Sequence, residues 1–320
     1  MKKFLIFIFI LFFVVIFSIY IFVNSNLSSI NSDTKAKIFV VNEGEGVESI
    51  SQNLQNDGFI KNKHAFLIYT IFTRQNKKLQ SGNFRLSTSL STPEIVKKLS
   101  SGGVSDYWLK IIDGTRIEEI ASFFPTNLSF NSHDFLTKYK NKEGYFFPDS
   151  YLIPSYFNLD QTVEVINKNF DQKFAQAKEK STSALIDEDN LILASLLERE
   201  GKSLDSKQMI AGIIINRLNL GMPLQLDATA QYARDSLNKN TINYWTPVSK
   251  TDLLIDSPFN TYKNQGLPPR PICNPGYNSL FAAFHPTDSD FVYYITGNDG
   301  KMYYAKTLDE HNSNITKYLK

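Results

Sequence analysis

The sequence predicts an α+β chain: one N-terminal transmembrane helix, small mixed α/β subdomains, then a mainly helical domain with a small β-hairpin. Three observations carry this. Residues 4–23, FLIFIFILFFVVIFSIYIFV, run without a charge. Two segments, VNEGEGVESI from Val41 and IIDGTRIEEI from Ile111, each read as strand, acid–glycine turn and helix start. Beyond residue 186, two apolar-rich helices precede DFVYYITGNDGKMYYA, a hairpin pattern turning over Gly297 to Gly300.

Composition narrows the function classes. A chain of 320 residues can build more than one core. Lys and Arg total 34 against 32 Asp and Glu, and no basic run follows the N-terminus, so no nucleic-acid partner is expected. The single cysteine, Cys273, excludes an intramolecular disulfide and a cysteine-based zinc cluster. The 4 histidines show no HxxxH or HxxEH spacing, so neither a metal nor another cofactor is expected.

Residues 1–3 supply Lys2 and Lys3 ahead of the apolar run. A run of this length can cross a hydrocarbon core of roughly 30 Å as a helix. Lysines on the short leading side favour keeping that end in the cytoplasm, which delivers the rest outside. A cleaved signal peptide is the competing reading, but NSNLSS offers no clear small-x-small site. The expected arrangement is a single-pass anchor in the cytoplasmic membrane.

Residues 24–37 are polar and unperiodic, a tether. In the expected N-terminal domain, 38–102, KIFVV is a strand and a helix follows with Val47, Ile50 and Leu54 on one face. A second helix is expected over His64–Phe72 and a strand pair around Gly82–Leu86. Thr92-Pro93-Glu94 then starts a helix, with Thr92 as the hydroxyl cap, proline at the first position and an acid in the first turn, and Gly102-Gly103 ends the unit. The second region, 103–185, opens with the repeat copy, where Thr115 and Glu118 suggest a capping box. EGYFFPDSYLIPS, residues 143–155, is either a packed aromatic corner or a sugar-facing surface. A polar helix spans about Thr162–Lys180.

The last domain, 186–320, holds the candidate chemistry. At about 100° per residue, Ile192, Leu193, Leu196 and Leu197 form a stripe that Glu200 extends, while Glu198 falls beside Leu191 and Ala194. Apolar surroundings raise a carboxyl pKa, as a general acid near neutrality requires. Glu200 is therefore the candidate acid, with Glu198 a helper or a partner for a cation such as Arg217. The competing reading leaves both acids on an exposed helix end before Gly201. A helix over 206–222 follows, and LQLDATAQYA supplies hydrogen-bonding groups at Gln225, Asp227, Thr229 and Tyr232. Residues 257–286 have no regular period until a short closing helix, and such stretches are often functional. A final helix is capped by Thr307 and Glu310.

The upstream EGYFFPDSY, then LASLLERE, INRLNLGMPLQLDATAQY, SPFNTYKNQGLPP and NPGYNSLFAAFHP, in this order, resemble the YceG-like family, endolytic murein transglycosylases of the MltG type. The resemblance runs from the apolar N-terminus to the last helix. It implies a membrane-anchored enzyme facing the cell wall, with a LysM-like region ahead of a catalytic domain. The strand–turn–helix openings are also similar to LysM modules. The family's catalytic glutamate is the second acid of E-x-E, here Glu200. The implied reaction cleaves glycan strands between N-acetylmuramic acid and N-acetylglucosamine, leaving 1,6-anhydro ends, and stops growing strands beside a membrane-bound synthase. Gln225, Asp227, Thr229, Tyr232, Asn260, Thr261, Tyr262 and Tyr145 are the expected glycan-binding positions on this reading. The chain departs from the family's LQTDPT and GLPPGPI at Leu226, Ala228 and Arg270.

A lytic reaction needs one carboxyl, first acid and then base for the sugar's own 6-hydroxyl, whose attack is intramolecular. Ordinary hydrolysis needs two carboxylates. A muramidase using Asp227 as the second is thus one alternative, and a non-catalytic wall-binding scaffold is the other.

Overall fold

The computed structural model describes residues 2–102, 106–126, 128, 130–154, 156–238 and 243–319; in the first helix it leaves out the side chains of 2–8, 12, 15, 16 and 19. The chain divides into two compact units. One comprises Met1–Tyr107 with Leu152–Phe157, the other Trp108–Tyr151 with Asn158–Lys320.

The first unit opens with α1 (Lys2–Asn26), on which the expected anchor falls. Of its described apolar side chains, Phe9, Ile10, Val14, Phe17 and Ile21 are exposed. Among the described residues no helix is long and apolar enough to cross a membrane, and several side chains of the expected span are not among those described. Then follow β1 (Lys37–Val41), α2 (Val47–Asn56), α3 (Lys63–Phe72), β2 (Gly82–Leu86) and α4 (Thr92–Ser100). Gly82–Leu86 is one strand rather than a pair, and its antiparallel partner is β1, with Phe39 opposite Phe84. Inward residues of this ribbon join Ile50, Leu54, Phe66, Ile95 and Leu99 in one core, as alternation and helical spacing require. The cap of α4 is Ser91, one residue before Thr92; its backbone N–H donates to Glu94 Oε2 at 2.8 Å. Gly103 lies outside the described residues.

The chain continues through β3 (Tyr107–Lys110), α5 (Ile117–Ser122), α6 (Ser132–Tyr139), β4 (Ser150–Ile153) and α7 (Leu159–Lys178). The two repeat copies do share a local shape: β1 and β3 each lead through a glycine of positive φ, +77° at Gly44 and +78° at Gly114, into a helix. A side chain is strained there, and glycine is not. The capping box expected from Thr115 and Glu118 forms one residue later, with Arg116 N–H donating to Glu119 Oε2 at 2.9 Å. Glu118 instead pairs with the buried Arg116 guanidinium at 3.2 Å. The aromatic stretch 143–155 is largely a packed corner: Phe146, Phe147 and Tyr151 are buried and Tyr145 half-buried.

The rest is helical: α8 (Asp187–Glu200), α9 (Leu204–Asn219), α10 (Asp227–Leu237), a 3-10 turn at Asp252–Leu254, α11 (Tyr277–Phe284), the hairpin β5 (Tyr293–Thr296) and β6 (Met302–Ala305), and α12 (Leu308–Tyr318). Thr307 Oγ1 accepts from Glu310 N–H at 3.2 Å, the expected cap. Helix α8 is the axis of this core and packs against α9 and α11. Every residue from Asn190 to Leu197 is buried, including Leu191 and Ala194 away from the predicted stripe. A helix buried all round has no single stripe to read.

The irregular stretch before α11 is held by polar side chains that replace a sheet ladder. Asn260 donates to Leu253 O at 3.1 Å and Ile255 O at 2.9 Å. Asn274 accepts from Gly144 and Phe146 N–H and donates to Thr115 O, all at 2.9 Å. Ser195 of α8 accepts from Ile272 N–H at 3.1 Å. Buried backbone groups demand such partners.

Candidate active site

The last turn of α8 sends two acids in different directions. Glu198 Oε1 pairs with Lys207 of α9 at 2.8 Å, with both side chains under 10 % exposed (9 % and 7 %). Its Oε2 accepts from Gly276 N–H at 2.8 Å and Ser279 Oγ at 2.7 Å, so it ties α8 to the start of α11. Lys207 closes the ring by donating to Ser279 Oγ at 2.6 Å. The backbone approaches closely here: a Cβ at Gly276 would lie 2.6 Å from the Asp113 carboxylate. Glu198 therefore has a cation, but it is Lys207 and not Arg217.

Glu200 is half-buried and takes one hydrogen bond, from Tyr294 Oη of β5 to Oε2 at 2.8 Å. It lines a groove of about 540 Å³ between the start of α9 and the hairpin, with Lys202, Asp205, Met209, Thr296, Met302 and Tyr304 among the walls. Burial pushes its carboxyl above the ordinary glutamate range, and the Asp227 charge adds to this; Tyr294, Arg217 and Arg199 pull the other way. The competing reading, an open helix end, does not describe Glu200, although Arg199 between the acids is exposed.

The other expected positions separate into those near Glu200 and those that build its frame. Asp227, exposed at the first residue of α10, accepts from Tyr262 Oη at 2.6 Å. Burial, the Asp227 bond and the Glu200 charge all push the Tyr262 phenol up, so it stays a donor. Gln225 is exposed with a left-handed φ of +50°, and its N–H reaches Thr261 O at 3.3 Å. Thr229 and Thr261 are buried and bond each other at 2.8 Å; Thr261 Oγ1 also accepts from Leu226 N–H at 3.0 Å. Asn260 is consumed within its own loop, accepting from Tyr262 N–H at 3.1 Å besides its two donations. Thr229, Asn260 and Thr261 thus shape the site without offering groups to a ligand.

Tyr232 and Tyr145 lie elsewhere. The Tyr232 ring sits under the Arg116 guanidinium, 4.2 Å from its centroid, and against Phe259. Tyr145 packs on Phe170 and lines a separate groove of about 580 Å³ with Glu188, Ile192, Leu267 and Arg270. Neither touches Glu200 among the described residues.

The model of the YceG-like family matches residues 39–317. The chain belongs to that family. A YceG-like protein of Listeria monocytogenes, solved as a crystal structure, superposes with a TM-score of 0.55 at 28 % identity, covering 88 % of this chain and 99 % of that one. The endolytic murein transglycosylase of Bacillus subtilis is 27 % identical over 94 % of this chain and 90 % of its own length. That of Streptococcus pneumoniae strain D39 is 28 % identical over 94 % of this chain, which spans 62 % of the pneumococcal protein's length.

Within this YceG-like chain the three departures have simple settings. Leu226 and Ala228 are buried around the first turn of α10, where apolar side chains suffice. Arg270 bonds Asn141 Oδ1 at 3.1 Å and lies over the Phe259 ring, at the Tyr145 groove rather than the Glu200 groove. Sequence reasoning missed Tyr294, although the paired tyrosines of FVYYITG and KMYYA were the available signal. It also missed Arg217 as the tether of that strand: Nε donates to Val292 O and Nη1 to Leu224 O, each at 2.6 Å.

Proposed function

We propose that this chain is a membrane-anchored endolytic peptidoglycan lytic transglycosylase with Glu200 as its acid and base. The observation that carries the proposal is a single carboxyl, raised by burial, held by one donor at the rim of a groove. The names of the B. subtilis and S. pneumoniae relatives support the substrate class.

Glu200 donates its proton to the oxygen leaving the anomeric carbon of N-acetylmuramic acid. The carboxylate left behind takes the proton of that sugar's 6-hydroxyl as the oxygen closes on the anomeric carbon, giving a 1,6-anhydro end. No water enters the step, and the nucleophile is already tethered. Asp227, with Tyr262 on its Oδ1, lends negative charge where positive charge develops, and the exposed Gln225, two residues earlier, adds a hydrogen-bonding side chain for the glycan.

A muramidase reading has one supporting observation, the Asp227 charge within electrostatic reach of Glu200. Mass spectrometry of digested peptidoglycan decides: anhydro ends support the lyase, and reducing ends one water heavier support the hydrolase. No cleavage, with Glu200→Gln equal to wild type, supports the wall-binding scaffold.

The exposed apolar side chains of α1 support the anchor, and the tether 24–37 and the domains 38–102, 103–185 and 186–320 belong to the same proposal. The strand–turn–helix openings support a LysM-like region. On this reading the body faces the cell wall and trims nascent strands beside a membrane-bound synthase. Membrane fractionation with external protease tests the placement; full-length chain in the soluble fraction refutes it.

A further inference from the structure

We propose that Tyr294 is a positioning residue for the Glu200 acid: its hydroxyl holds Oε2 and leaves Oε1 to present the transferable proton to the groove. This role rests on the reaction proposed above. The bond is 2.8 Å, and Tyr294 is the one donor reaching Glu200 among the described residues. A phenol has a single proton to give, and a neutral carboxyl that accepts on one oxygen carries its proton on the other. Burial and the Glu200 charge push the Tyr294 phenol well up, so it remains a donor throughout the working range.

The support is rigid. Tyr294 stands on β5 opposite Tyr304, which lines the groove. Arg217 fixes the start of that strand through Val292 O and joins it through Leu224 O to the segment leading into Asp227. Once the proton has left, the bond becomes charge-assisted and strengthens, so Tyr294 favours the transition state over the ground state. A tyrosine that merely packed the hairpin would have no such dependence on the charge of Glu200.

The test is Tyr294→Phe on purified peptidoglycan, counting anhydro ends against pH. The expected kcat loss is about tenfold to a hundredfold, with KM within about twofold. The alkaline limb moves to higher pH, because a bond favouring the charged carboxyl has gone. Site-specific 3-fluorotyrosine at 294, a stronger donor of nearly the same shape, moves the limb the other way. A limb that stays fixed in both variants overturns the proposal. Carboxyl 13C titration, with Glu200→Gln assigning the resonance, reads the contact without turnover; the Glu200 midpoint rises in Tyr294→Phe. Absence of anhydro ends from the wild type would sink the reaction itself. An unmoved midpoint in an active enzyme would overturn the role of Tyr294 alone.

Discussion

The two sides of the last turn of α8 carry the same functional group two residues apart, and the fold treats them oppositely. On the Glu198 side both oxygens are saturated by Lys207, Gly276 and Ser279, and the carboxylate is a rivet between α8, α9 and α11. On the Glu200 side one oxygen takes one phenol and the group faces a groove. Apolar neighbours are present on both sides, so hydrophobicity does not separate the acids. What separates them is the completeness of their partners. A fully bonded carboxylate has no oxygen left to offer a ligand, whereas the Glu200 carboxyl, raised by burial, has one.

Breaking the rivet should give the largest change in stability. Glu198→Ala removes the ion-pair partner of the buried Lys207 and should cost about 3–5 kcal/mol in denaturant unfolding. Adding Lys207→Met should recover much of that loss; no recovery would mean that the pair is not coupled. Next in size is Arg217→Met, which removes two short hydrogen bonds to carbonyls and should cost about 2 kcal/mol. It should also move the alkaline limb of activity upward, since Arg217 lowers the Glu200 pKa.

Glu200→Gln should behave oppositely to Glu198→Ala and raise the melting temperature by a few degrees at neutral pH. The folded pKa of Glu200 lies above its unfolded value, so ionisation opposes folding as pH rises past the ordinary glutamate value. That penalty is complete above the raised pKa and absent below the unfolded one, near about 4.3. The advantage of glutamine should therefore vanish in acid, which melting curves at several pH values will check. Arg270→Gly, at the other groove, should be the smallest change, about 0.5 kcal/mol and no loss of turnover.

Local signals made much of the fold legible. Strand alternation in KIFVV, the Thr307 cap and the turn over Gly297 to Gly300 all appear where adjacent residues place them. Caps were less exact, because a hydroxyl beside the helix start competes with its neighbours: Ser91 took the place of Thr92, and Arg116 that of Thr115. Helix α10 was hidden because LQLDATAQYA alternates apolar and polar residues, a strand-like period; its burial comes from α8 and from the Phe259–Tyr262 loop that pack on it. Helical phase singled out Glu200, yet α8 is buried on every side, so phase alone could not explain its setting. The deciding partners, Tyr294 and Lys207, are 94 and 9 residues away from the acids they hold. No local spacing encodes such a pair.

The most direct measurement places Glu200→Gln and Glu198→Gln side by side, both held below their melting temperatures, and counts 1,6-anhydro ends released from purified peptidoglycan. The account predicts that Glu200→Gln releases none while Glu198→Gln, though less stable, still releases them. Anhydro ends from Glu200→Gln at the wild-type rate, or their loss only in folded Glu198→Gln, would contradict it.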